Sequence, residues 1–188
     1  MNICFINPPF KSEYGKFSRE SRSPSIGHSG VLYYPLWLIY AAAVVENKGY
    51  NICFIDAPAK RLDIDKTLER VKTEMADADL FVLDTSTPSI YSDVAFADVL
   101  KSIYPTSKVM LVGTHPSATD EETMNISLSI DYIARQEYDY IVLQTVKMLE
   151  GKFAIEEVDG LTYRGDNGEI IRNKNAEHIE DLDSIPMA

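Results

Sequence analysis

The sequence predicts an α/β domain: a parallel sheet covered by helices on both faces, with a β-hairpin at its C-terminal end. Three observations predict it. Short, almost wholly apolar runs recur at Asn2–Ile6, Asn51–Ile55, Leu80–Leu83, Lys108–Val112 and Ile130–Ala134, the pattern of strands buried on both faces. Stretches with a helical repeat of apolar residues separate them, and strands alternating with helices build right-handed parallel crossovers. With 188 residues, 45% of them hydrophobic and 25% charged, the chain can enclose one such core and a small appendage.

The first strand stops at Asn7-Pro8-Pro9. From Asn7 to Tyr34 the chain has neither strand nor helix period and carries Arg19, Arg22 and His28. A connection this long in a compact domain predicts a functional cover over the adjoining strand ends. Pro35 opens the first helix and Gly49 closes it, with Leu36, Ile39, Tyr40, Ala43 and Val44 on the expected inner face. The second strand ends at Asp56-Ala57-Pro58. Asp63 is placed to cap the second helix, with Ile64, Leu68, Val71 and Met75 inward. After the third strand come the polar turn Asp84-Thr85-Ser86-Thr87-Pro88 and a helix with Phe96, Val99, Leu100 and Ile103 inward. The fourth strand stops at Gly113-Thr114-His115-Pro116, where Gly permits close backbone approach and Pro ends pairing. Thr119 or Asp120 caps a short helix. The fifth strand ends at Arg135-Gln136-Glu137, and Tyr138, Ile141, Val142, Thr145 and Leu149 mark the last helix. Gly165-Asp166-Asn167-Gly168 between two short apolar stretches is a hairpin signal. These elements predict the flavodoxin-like (Rossmann-like) five-stranded order 2-1-3-4-5, whose ligands lie beyond the carboxyl ends of the strands.

Composition narrows the function. A net charge of −11 and a pI near 4.7 argue against a nucleic-acid partner, which needs a basic footprint. No apolar run reaches the length of a membrane span, and the N-terminus lacks the basic region of a signal peptide. Cys4 and Cys53 sit in strand-like runs and read as small buried thiols of a reducing cytoplasm. Neither a zinc site nor an iron–sulfur cluster can be built from cysteines, and no catalytic residue stands out.

The strand ends discriminate among chemistries. A phosphate-accepting receiver domain would use Asp84 and Thr114, but Asn7-Pro8-Pro9 supplies no carboxylates for magnesium and Arg135 stands where a Lys is needed. A flavin domain needs backbone N–H groups after the first strand, which Pro8-Pro9 lacks. A large amphipathic organic cofactor remains: Thr85, Ser86 and Thr87 offer small hydroxyls, Gly113 close approach, and the segment from Pro8 to Tyr34 a broad cover. Each feature alone also fits ordinary turn chemistry.

In this order the blocks resemble the N-terminal cobalamin-binding domain of cobalamin-dependent radical S-adenosylmethionine (radical SAM) enzymes. They are Asn7-Pro8-Pro9, Pro35-Leu36 opening an Ala-rich helix closed by Gly49-Tyr50, Ile55-Asp56-Ala57, Thr85-Ser86-Thr87, Tyr104-Pro105 and Gly113-Thr114-His115-Pro116. Asp131-Tyr132-Ile133 with Arg135-Gln136-Glu137, then Gly160 to Arg164 and Asp181 to Pro186, complete the set. The resemblance implies cobalamin held by Asn7, Pro8, Pro9, Asp56, Thr85, Ser86, Thr87, Gly113, Thr114, His115, Arg135 and Glu137. The lower tail would enter near Thr85–Thr87 and Gly113–His115, and the corrin would lie across the strand ends. Better-known cobalamin domains carry Asp-x-His-x-x-Gly after the first strand, with the His on cobalt. Here that place reads Asn7-Pro8-Pro9, so base-off binding without a protein His ligand is expected, His28 and His115 being the only substitutes. The family often has Gly where Gln136 stands.

The resemblance further implies a [4Fe-4S] cluster and S-adenosylmethionine in the parent enzyme, a methyltransferase by expectation. This chain lacks the CxxxCxxC motif and would bind neither. It divides into a cobalamin-binding unit (1–152) with the long loop 7–34, a hairpin extension (153–180) and the start of a linker (181–188) to an absent radical SAM domain. The alternative is a flavodoxin-like interaction domain without a cofactor.

Overall fold

The computed structural model describes residues 1–11, 16–19, 26–27 and 32–187. The strands are β1 (Asn2–Asn7), β2 (Lys16–Phe17), β3 (Ile26–Gly27), β4 (Asn51–Asp56), β5 (Leu80–Thr85), β6 (Lys108–Gly113), β7 (Tyr132–Ala134), β8 (Leu161–Arg164) and β9 (Ile170–Arg172). The helices are α1 (Leu36–Glu46), α2 (Ala57–Lys60), α3 (Ile64–Glu74), α4 (Ile90–Ile103), α5 (Thr114–Ala118), α6 (Asp120–Met124) and α7 (Asp139–Leu149).

The main sheet runs β4-β1-β5-β6-β7-β8-β9. Its first five strands are parallel in the expected order. The hairpin does more than append: β8 pairs antiparallel to β7, and β9 to β8, so the sheet has seven strands. One side chain explains the continuation. Arg135, buried just past β7, donates to the carbonyls of Leu161 and Asn173 and to the Thr162 hydroxyl. Its guanidinium therefore bridges the end of the parallel sheet and the hairpin.

Alternate residues of the strands feed two cores. Ile3, Phe5, Leu80, Val82, Met110 and Val112 pack with α1 and α7; Cys4, Ile6, Phe81, Leu83, Val109 and Leu111 pack with α3 and α4. Asp63 caps α3 as expected, accepting the Lys66 N–H at 2.9 Å. The phase of α1 differs in part from expectation: Ala43 and Val44 are buried as expected, but so are Leu38, Ala41, Ala42 and Val45, while Leu36 is exposed. The helix is apolar nearly all round, so periodicity could not orient it, and the alanines decide which side approaches the sheet. Ile103 and Ile64 are likewise exposed, because they stand at helix ends beyond the sheet's cover. The α6 N-cap, Thr119, makes no side-chain cap bond; Asp120 instead accepts from Thr162 and Arg172. Both cysteines are free and buried, paired in register across β1 and β4.

Among the described residues no helix is long and apolar enough to cross a membrane, and no His/Cys/Asp/Glu group could hold a metal ion.

Candidate functional site at the strand ends

The carboxyl ends of β1, β4, β5 and β6 meet in a chain of buried polar groups. In the turn after β5, the Ser86 and Ser89 hydroxyls are 3.0 Å apart. Ser89 Oγ donates to Asp93 Oδ2 on the first turn of α4 at 2.6 Å. Arg19, the one residue of the cover seen in this network, donates to both carboxylate oxygens of Asp93 and to the Pro8 carbonyl. It also donates to Asn7 Oδ1 at 2.6 Å. Asn7 in turn donates to Asp56 Oδ1, and Asp56 caps α2 by accepting the Ala59 N–H. Phe17 stacks on Phe10, and the Arg19 guanidinium lies 5.2 Å over the Phe17 ring. Phe17 and Arg19 of the cover are thus docked on the α4 side of the mouth, where the Arg19 side chain fills space.

Charge is unbalanced here. Asp56, Asp84 and Asp93 gather around the Arg19 guanidinium, with Lys60 also acting on Asp56. Burial lifts all three carboxyls above the ordinary range, with Arg19 opposing the rise. Asp84, wholly enclosed, is pushed up to about 7. Strand alternation continues Leu80 and Val82 into Asp84, toward the α1/α7 layer, and Phe81 and Leu83 into Thr85, toward α4. Asp84 Oδ2 is buried with no hydrogen-bond partner among the described residues, and Thr85 Oγ1 is buried beside the Asp93 carboxylate.

The expected site residues separate into two groups. Asn7, Pro8, Pro9, Asp56, Thr85, Ser86, Thr87, Gly113, Thr114 and His115 all lie at the mouth. Ser86 is spent within its turn, Thr87 and Thr114 are exposed, and His115 Nδ1 shares a 3.2 Å hydrogen bond with Thr87 Oγ1. Gly113 has φ +113°, and a Cβ there would lie 2.1 Å from the Thr85 carbonyl oxygen, so it is required by the close approach of β6 to β5. Arg135 and Glu137 have partners within the protein. The Arg135 guanidinium points into the hairpin, drawn by backbone carbonyls. Glu137 accepts the Ile179 N–H at 2.8 Å and pairs with His178, so it fastens the C-terminal segment. Gln136 holds φ +63°, the left-handed region that favours Gly, which gives a backbone reason for a Gly at this point.

Arg19 was named only as part of the cover, and its bond to Asp93, Ser89 itself and the burial of Asp84 were not anticipated. Asp93 had a readable signal, since it sits three residues from both Ile90 and Phe96 on an apolar helix face. Arg19 had none, because its segment lacks a period. Arg22 and His28 lie outside the described residues.

Comparison with known proteins defines the class. A family model described as the B12 binding domain matches residues 23–144, more than half of the chain. The chain belongs to the B12 binding domain family. It is 27% identical, over 98% of its length, to the anaerobic magnesium-protoporphyrin IX monomethyl ester cyclase of Rubrivivax gelatinosus, covering 32% of that protein. It is 26% identical to an uncharacterised methyltransferase of Pyrococcus horikoshii, covering all of this chain and 38% of that one. The chain thus spans about a third of the length of the curated relatives it matches. Its fold superposes on the cobalamin-dependent S-adenosylmethionine radical enzyme OxsB with aqua-cobalamin and S-adenosylmethionine bound. The TM-score is 0.74 at 15% identity, over 94% of this chain and 22% of that one. It also matches the radical S-adenosylmethionine methyltransferase TsrM of Kitasatospora setae, with TM-score 0.67 at 15% identity, over 94% and 30% of the two chains.

Proposed function

We propose that this chain holds cobalamin in its base-off form at the carboxyl-terminal mouth of the sheet, as the cofactor-binding part of a longer cytoplasmic radical SAM enzyme. The observation that carries the reading is the buried Asp84 Oδ2, without a partner among the described residues, next to the buried Thr85 Oγ1 at the centre of the mouth. A buried polar group left without a hydrogen bond costs about 1–3 kcal/mol, which a polar ligand reaching Asp84 Oδ2 returns. The two atoms fit a ligand with both donors and acceptors. Thr85 offers a hydroxyl, and the raised Asp84 carboxyl exchanges between acid and carboxylate near neutrality.

The residues that would hold the cofactor are Asn7, Pro8, Pro9, Asp56, Thr85, Ser86, Thr87, Gly113, Thr114 and His115; Arg135 and Glu137 would support from behind by fixing the hairpin and C-terminal segment. Cobalamin, when bound, supplies a cobalt centre able to carry a methyl group. The chain's own share is to bind and orient it. No imidazole follows β1, since Asn7-Pro8-Pro9 occupies that place and Asn7 is committed to Arg19 and Asp56; this supports a cobalt without a protein His ligand. The cluster and S-adenosylmethionine would belong to a radical SAM domain joined beyond residues 181–188. Methyl transfer is the favoured reaction of the whole, with the named methyltransferase relative in support.

The direct test mixes the purified chain with hydroxocobalamin, removes free ligand by desalting and records the absorbance. Retained corrin with a base-off spectrum is expected. A chain that elutes colourless overturns the reading, and a nitrogen ligand that survives substitution of both His28 and His115 overturns the base-off assignment by showing the tail base still coordinated.

A further inference from the structure

We infer that the exposed aromatic side chains leading into α1, Tyr33, Tyr34 and Trp37, form a platform that holds the corrin ring independently of the nucleotide tail. The inference rests on the mouth being the cofactor site and adds which residues grip the macrocycle.

Topology places the platform. Helix α1 links the mouth end of β1 to Asn51, which pairs with Asn2 at the opposite edge of the sheet, so its first turn stands level with the mouth. Tyr33, Tyr34 and Trp37 are 64%, 79% and 58% exposed, with Leu36 exposed beside them. Single exposed apolar residues are ordinary, but four within five positions form a patch that calls for an occupant. Leu36 and Trp37 are held in place by their helix, because its Leu38, Ala41, Ala42 and Val45 are buried against the sheet.

Chemistry selects the occupant. The chain carries a net charge of −11, yet no charged residue occurs from Val31 to Val45. An uncharged aromatic rim suits a wide, flat ligand with an apolar periphery, and aromatic rings supply contact area at small entropic cost. The other side of the mouth is taken by Arg19 on Asp93, so a broad ligand has to rest over the α1 side, where Asp84 also lies. The family match includes all four residues of the patch.

Two probes separate ring from tail: hydroxocobalamin, and dicyanocobinamide, which has the corrin without the nucleotide. Affinities are measured by absorbance titration for the wild-type chain, the Tyr34→Ala/Trp37→Ala pair, Trp37→Phe and Asp84→Leu. The aromatic pair is expected to weaken both probes alike, about tenfold, with Trp37→Phe near wild type. Asp84→Leu is expected to weaken cobalamin and spare cobinamide. The exposed variants should keep the wild-type Tm. If the aromatic pair binds cobinamide within twofold of wild type, or if wild type takes up cobalamin but not cobinamide, the platform is refuted and the patch serves a protein segment instead. If wild type binds neither probe, the cofactor reading itself falls, and the platform with it.

Discussion

Replacing Asp84 by Asn tests the electrostatics of the mouth without disturbing its shape. The Asp84 carboxyl titrates near 7 in the folded chain because burial penalises its charge, whereas an unfolded Asp titrates near 3.8. Its folded pKa is raised, so the stability it contributes is present below the unfolded value and lost as pH climbs toward 7. Between those limits the unfolded state gives up the proton first. About three pH units at 1.36 kcal/mol each give a loss of roughly 4 kcal/mol. Asn resembles the protonated acid and does not titrate. Urea unfolding at half-unit steps from pH 4 to pH 8 should show the two proteins alike near pH 4. The Asn variant should then gain steadily to roughly 4 kcal/mol near pH 7 and hold level above it. Asp56 and Asp93 are present in both proteins, so the difference between the curves reports Asp84 together with its coupling to those two carboxyls. A difference that stays flat across the range would refute the claim that burial outweighs Arg19 and raises this carboxyl.

Arg19→Met strands the buried Asp93 carboxylate and should cost about 3–5 kcal/mol in chemical unfolding, while Arg19→Met/Asp93→Leu should recover most of it; equal losses in both would show that packing, not charge, holds the cover. Arg135→Met should cost at least about 3 kcal/mol through lost charged hydrogen bonds. In hydrogen exchange, β8 and β9 should then lose protection well before β1 and β5, and uniform loss would contradict the bridging role. Gln136→Gly relieves a left-handed backbone and should raise stability by up to about 1 kcal/mol; a lower Tm would show that the Gln side chain pays for its own strain.

Much of the architecture was legible because it depends on local chemistry. Apolar runs of strand length, helix-length spacers, Asp63 before a helix and Gly165–Gly168 between strands each act over a few residues, and all produced the elements they announce. Phase and partnership were less legible. Leu36 and Leu38 are equally apolar, and only contact with the sheet and α7 decides that one faces solvent and the other the core. Thr85, Ser86 and Thr87 read alike as turn hydroxyls, yet one is buried beside Asp93, one is bound within its turn, and one is exposed beside His115. Arg135 read as a strand-end residue open to ligand, and the hairpin's carbonyls took it instead.

By itself the sequence determined the fold class and the strand order, since hydrophobic period and turn residues encode these within short windows. Tertiary structure decided which polar side chains are free to bind. That depends on groups far apart in the chain: Arg19 reaches Asp93 across 74 positions, and Arg135 reaches Asn173 across 38. A buried hydrogen-bonding group takes whatever partner the fold brings near, and only those left without one remain for a cofactor.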